Sequence, residues 1–210
     1  MTRGKLILIE GLDRTGKSTQ SEKIVKELGD EVVLFKFPER STPIGGLINQ
    51  YLTDRSFDLP PQSIHLLFSA NRWEVNAKIR SLLESGKHVV LDRYVYSGVA
   101  YSAAKQIPGM DISWCLNPDK GLVKPDLTLF LSNQDSSSLQ DRDGYGEERY
   151  EKAAFQKKVR ETFFQVFDAI PDDNRVIVDV TGKSIEQVFD TVMPLVRKVL
   201  GNNSEDYLYF

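Results

Sequence analysis

The amino-acid sequence predicts an α/β fold: a central parallel sheet of about five strands with helices on both faces. Three observations predict it. Short apolar runs alternate with stretches of helical periodicity along the 210 residues. The runs are continuous rather than alternating, as expected of strands covered on both faces. A glycine-bearing turn joins the first run to the first helical stretch.

In chain order, Leu6–Ile9, Val32–Phe37, His88–Leu91, Leu127–Leu131 and Val176–Val180 read as the strands. Ser18–Leu28 reads as a helix leaving the first turn. Pro61–Glu84 reads as a long helix stopped by Gly86, and Tyr94–Lys105 as another. Arg149–Ile170 is the clearest amphipathic case, with Phe155, Val159, Phe163, Val166, Phe167 and Ile170 at helical spacing. Ser184–Leu200 opens on a capping box, Ser184 with Gln187. Its apolar face runs through Ile185, Val188, Phe189, Val192, Val196 and Val199, and Pro194 is expected to kink it. There is no internal repeat. Residues 133–148 are polar and glycine-bearing, which predicts a mobile segment. The tail, 201–210, is polar and then aromatic, and its sequence does not decide between fraying and docking.

Composition narrows the function. A net charge of −3 argues against general nucleic-acid binding. The single cysteine, Cys115, allows no intrachain disulfide and fits a reducing compartment. The apolar run at Leu6–Ile9 is cut by Glu10, so it is not expected to act as a signal peptide. No run is long enough for a membrane span. The expected location is cytoplasmic or nuclear.

The turn after the first strand, "GLDRTGKST", carries chemistry. Gly11, Gly16, Lys17 and Ser18 fit G-x-x-x-x-G-K-[ST] between a strand and a helix. Glycines let backbone N–H groups turn inward around phosphate oxygens, and the helix N-terminus adds positive potential. Lys17 supplies a full charge, and Ser18 offers a hydroxyl to Mg²⁺. An N-K-x-D guanine reader is absent. The third strand ends in Asp92, Arg93 and Tyr94. A cation beside that aspartate suits a second phosphate-bearing substrate better than a lone nucleotide.

These features together resemble the thymidylate kinases, which phosphorylate dTMP. The resemblance rests on "GLDRTGKSTQ", "FPER" at 37–40, "FSANRWE" at 68–74 and "DRYVYSGVAYSAAK" at 92–105. "GLVKPDLTLFL" and "ERYE" support it, and the set spans nearly the whole chain in order. Arg14, inside the phosphate loop, resembles the eukaryotic and related subgroup. The resemblance implies a P-loop nucleoside-monophosphate-kinase fold, a single domain over 1–210 with a lid at about 133–148, and a homodimer. It also implies transfer of the ATP γ-phosphoryl group to dTMP, giving ADP and dTDP for dTTP synthesis.

The implied site residues follow. The loop residues Gly11, Asp13, Arg14, Thr15, Gly16, Lys17, Ser18 and Thr19 serve the nucleotide. Ser18 and Asp92 serve Mg²⁺, and Arg142 and Lys183 lie near the adenine. Phe37 and Arg40 belong to the acceptor side, where a guanidinium past a strand end can grip the dTMP phosphate bidentately. Phe68 and Arg72 are four apart on one helix face, an aromatic plus a donor for a pyrimidine. His65 on that helix reads as structural. Arg93 meets the phosphates as charge develops. Ser97, Tyr101 and Ser102 lie against sugar and base, with Tyr101 crowding the 2′ position and Ser102 reading the thymine edge. Asp13 reaches the 3′-hydroxyl, and Tyr150 and Gln156 lie near the nucleoside. Arg14, Lys17, Asp92 and Arg93 are the expected catalytic set, Arg14 as an internal arginine finger because "LQDRDGYGEE" is poor in cations. Two other readings stay open on the residues alone: a kinase for another pyrimidine nucleotide or nucleoside, and a P-loop switch ATPase.

Overall fold

The computed structural model describes residues 2–134, 149–150 and 152–210. Five strands, β1 (Leu6–Gly11), β2 (Val32–Lys36), β3 (His88–Asp92), β4 (Leu127–Ser132) and β5 (Arg175–Asp179), form one parallel sheet in the order β2-β3-β1-β4-β5. The helices are α1 (Lys17–Leu28), α2 (Pro43–Thr53), α3 (Pro61–Glu84), α4 (Val95–Ala103), α5 (Ile112–Leu116), α6 (Ala153–Ala169) and α7 (Ile185–Leu200). The sequence-predicted strands each fall within a residue or two of these bounds.

The continuous apolar runs behave as the periodicity requires. Successive strand residues face opposite sides of the sheet. Leu6 and Leu8 therefore enter a core shared with α3, α4 and α6, while Ile7 and Ile9 enter a second core shared with α1 and α7. The edge strand β5 is less covered, and Ile177 is exposed. Among the described residues no helix is long and apolar enough to cross a membrane.

Two helices escape the sequence reading. In α2, Gly45 and Gly46 lower local helix propensity. Tertiary structure overrides it: Thr42 caps the helix by accepting from the Gly45 N–H at 3.1 Å, and a Cβ at Gly45 would overlap the Glu39 carbonyl. The helix α5 is a single short turn capped by Asp111. The helix predicted over Arg149–Ile170 begins later, at Ala153. Arg149 instead donates to the Tyr51 carbonyl and to Asp58. The capping box of α7 forms on both arms. Pro194 lies inside an α7 that runs unbroken to Leu200.

The tail docks. Lys124 N–H donates to the Leu208 carbonyl at 2.7 Å, and Phe210 packs edge-on against Tyr94 and Tyr96. Nearly all of the predicted mobile segment, 133–148, falls outside the described residues.

Candidate active site

A cavity of about 510 Å³ opens beyond the carboxyl ends of β1, β2 and β3. Its phosphate end is the turn between β1 and α1. Gly11 and Gly16 take positive φ, and so does Arg14, at 66°. Non-glycine residues rarely adopt that region, and such strain concentrates at functional sites. Thr15 is buried, and its hydroxyl donates to the Leu12 carbonyl at 3.0 Å. The ammonium of Lys17 also donates to that carbonyl. Burial, with Arg93 nearby, lowers the Lys17 pKa to about 8. Ser18 donates to Asp92 at 2.5 Å, which sets a hydroxyl and a buried carboxylate side by side.

Arg93, also left-handed at φ 68°, links this end to the rest. It pairs with Asp13, donates to Ser97 Oγ at 3.1 Å and to the Gly11 carbonyl at 3.2 Å, and covers the Tyr101 ring. Asp92 and Arg93 therefore do not satisfy each other: each has a different partner. The Asp13 carboxylate also accepts from Tyr101 at 3.0 Å and from Gln156 at 2.5 Å. Burial opposes its ionisation, but Arg93 and Lys17 hold it below the usual carboxylate range.

The far end of the cavity is built on α3 and α4. Arg72, only 3% exposed, donates to fully buried Asp119 from Nε at 3.0 Å and from Nη2 at 2.6 Å. Ser69 donates to the same carboxylate at 2.6 Å. Gly98 on α4 makes room for this pair, since a Cβ there would lie 2.6 Å from Arg72 Nη1. His65, seven residues before Arg72 and so on the same helix face, touches Ser102 at 2.8 Å and the Cys115 carbonyl at 2.9 Å. Phe68, Tyr101 and Tyr150 complete the wall. Between the two ends, Arg40 donates to Asn49 at 2.8 Å from the lip formed after β2.

The structure thus brings Asp13, Arg14, Gly16, Lys17, Ser18 and Thr19 to one cavity with Phe37, Arg40, Phe68 and Arg72. Asp92, Arg93, Ser97, Tyr101, Ser102 and Tyr150 line it as well. Gly11, Thr15 and Gln156 do not line the cavity, although Gln156 donates to Asp13, which does. Lys183 is exposed in the turn after β5, away from this cavity. Arg142 lies outside the described residues.

Sequence reasoning missed three residues. Asp119 carries no local signal. Glu10, which only interrupted an apolar run, is fully buried and accepts from the Tyr94 and Ser97 N–H groups, both at 3.0 Å, and from the Ser97 hydroxyl. It thereby satisfies donors that start α4 and orients the turn carrying Arg93. Burial raises its pKa, while the Ser97 hydrogen bond and Arg93 oppose that rise. Gly98 was noted only as part of a motif. Cys115 is buried and its thiol is pushed up to about 12 by burial, so it offers no thiolate nucleophile.

A cavity with a phosphate loop at one end and an aromatic–arginine pocket at the other fits a nucleotide kinase, and the comparisons decide which. The thymidylate kinase family model matches residues 9–192. The chain belongs to the thymidylate kinase family. It is 44% identical over 210 residues to the thymidylate kinase of Schizosaccharomyces pombe, covering 98% of each chain. It is 44% identical to that of Homo sapiens, over 97% of this chain and 94% of the other. A solved thymidylate kinase from Candida albicans superposes with a TM-score of 0.92 at 45% identity, covering 100% of this chain and 99% of that one. The fold is accordingly the P-loop nucleoside-monophosphate-kinase fold. This thymidylate kinase transfers the γ-phosphoryl group of ATP to dTMP, giving dTDP and ADP.

Proposed function

We propose that the cavity works as two half-sites, the β1–α1 loop holding the ATP phosphates and the α3–α4 wall holding the dTMP base. The observation that carries this is the meeting, in one cavity, of Lys17 and Ser18 with Arg40, Phe68 and Arg72. Phosphoryl transfer asks the protein chiefly for positioning and charge stabilisation. Arg40 grips the dTMP phosphate, Phe68 stacks on the base and Arg72 donates to a base carbonyl. Asp13 receives the 3′-hydroxyl. A carboxylate offers about four acceptor sites. Arg93, Tyr101 and Gln156 use three, and the fourth suits a sugar hydroxyl. The bond to Asp13 also fixes the Tyr101 ring where it crowds a 2′-substituent.

Arg14 is the transition-state cation, carried by the left-handed turn of the phosphate loop. Ser18 and Asp92 fit Mg²⁺, which takes oxygen ligands and is commonly held through one or two carboxylates plus substrate phosphates. When bound, the ion neutralises charge on the ATP phosphates. Location in the cytoplasm or nucleus accords with the single free cysteine.

The kinase acts as a homodimer in this reading. Leu66 and Trp73, both exposed, stand seven apart on α3 with Ala70 and Ala77 between and beyond them. That apolar stripe suits packing against the same helix of a second copy, which sedimentation velocity checks.

An acceptor panel with coupled ADP release tests the site reading. The Candida albicans relative is described by broad substrate specificity, so the panel extends to UMP, dUMP and dCMP. The expected result is preference for dTMP and poor ribonucleotides, with Tyr101→Ala relaxing the sugar preference. UMP turning over as fast as dTMP, or Tyr101→Ala leaving the sugar preference intact, overturns it. Acceptor-independent turnover favours the switch-ATPase alternative.

A further inference from the structure

Hydrogen-bond polarity at the base end is decided one residue behind the wall. His65 is fully buried on α3 with Trp114 packed at 5.3 Å between ring centroids. A backbone carbonyl only accepts, so the Nε2 that lies 2.9 Å from the Cys115 oxygen carries the proton. Burial, reinforced by Arg72, lowers the His65 pKa to about 4, which keeps the ring neutral near pH 7. In a neutral ring protonated at Nε2, Nδ1 is an acceptor. Ser102 Oγ, 2.8 Å away, must therefore give its only proton to His65. What Ser102 has left for the cavity is lone pairs.

Arg72 has the opposite polarity. A guanidinium only donates. Asp119 engages its Nε and Nη2, so Nη1 is the nitrogen outside that pair. One wall thus presents a fixed donor and a fixed acceptor.

We infer that His65 is a specificity-determining positioning residue: by holding the Ser102 hydroxyl as an acceptor near the Arg72 donor, it matches a base edge with a carbonyl next to an N–H and rejects the reverse pattern. Thymine offers O4 and N3–H, and cytosine offers an amino donor and a bare ring nitrogen. The inference rests on the proposed placement of the base against Phe68, Arg72 and Ser102.

Two measurements test it. In enzyme with ¹⁵N-labelled histidine, long-range ¹H–¹⁵N spectra at neutral pH should show His65 protonated at Nε2 and bare at Nδ1. The Nδ1–H tautomer overturns the inference. Second, the dTMP to dCMP ratio of kcat/KM is compared for wild type and His65→Phe. The freed hydroxyl can then donate, so the ratio should fall roughly 10- to 100-fold, the discrimination typical of one good base contact, partly through a gain with dCMP. Equal loss with both acceptors overturns it. If His65→Phe does not fold, Ser102→Ala replaces it. The ratio should again fall, here through loss with dTMP alone, and an unchanged ratio overturns the inference. Phe68→Leu separates the two levels. No effect on the KM for dTMP removes the base placement and this inference with it. A raised KM there, with an unchanged ratio in His65→Phe, removes only the role of His65.

Discussion

The two ends of the cavity are made differently. The phosphate end is loop at the ends of two strands: left-handed Arg14 and Arg93, positive-φ Gly11 and Gly16, and charged groups carried on strained backbone. The base end is regular helix backed by a buried side-chain network, Arg72 with Asp119 and His65 with Ser102 and Cys115. At the first end, in the proposed reading, strain and backbone dipoles aim charge at a phosphoryl group. At the second, by the inference above, packing fixes hydrogen-bond polarity to suit one base edge. Changes at the phosphate end should therefore cost rate or phosphate binding, and changes at the base end should cost stability or selectivity.

The largest expected effect breaks or upholds the first half of that contrast. Arg14→Ala should cut kcat by roughly 10³–10⁵ with little change in KM, as arginine fingers do in phosphoryl transfer. Even Arg14→Lys should lose much of it, because a planar fork is replaced by a point charge. Saturating kinetics of Arg14→Ala against Arg142→Ala decide the matter, and a larger kcat loss in Arg142→Ala puts the finger elsewhere.

Next in size is Asp119→Ala. It strands Arg72 inside the protein, and removing one partner of a buried pair costs about 3–5 kcal/mol. Thermal unfolding should show a Tm drop on the order of 10 °C, whereas Arg14→Ala should melt near wild type. Equal Tm values for the two variants would erase the contrast.

Arg40→Ala should weaken dTMP binding by about 2–5 kcal/mol, as truncating one partner of a charge pair does, with ATP affinity near normal. Titration calorimetry with each substrate reads this directly. An ATP defect of similar size with dTMP intact assigns Arg40 to the wrong half-site.

The smallest effect sharpens the electrostatics of the loop. In the free enzyme Lys17 sits at about 8, lowered by burial and by Arg93. Phosphate charge favours the ammonium and raises that pKa. ATP binding should take up almost no proton at pH 7 and close to one proton per site near pH 9. Calorimetry in buffers of different ionisation enthalpy measures the uptake. Uptake that does not change with pH means Lys17 is already charged without nucleotide.

How far the site was legible follows the same division. The phosphate loop was readable because backbone geometry is local: the glycines, Lys17 and Ser18 must sit at fixed spacing between a strand and a helix. Phe68 with Arg72 was readable only as one helix face, since i and i+4 neighbour each other in any helix. Asp119 was invisible because its partner lies 47 residues away and nothing in "NPDK" marks it. The helix α2 was hidden by its two glycines, of which the packing against Glu39 requires Gly45.

By itself the sequence determined the strand–helix alternation, the two-faced burial of the central strands, the capping box of α7 and the phosphate loop, because each depends on periodicity or on contacts within a few residues. Only the tertiary structure decided that Glu10 would start α4, that Arg93 would pair with Asp13 rather than Asp92, and that the tail would dock on Tyr94 and Tyr96. It alone set the Ser102 hydroxyl against His65. The physical reason is desolvation: once buried, each of these polar groups must find a partner, and which one is within reach depends on how distant segments pack.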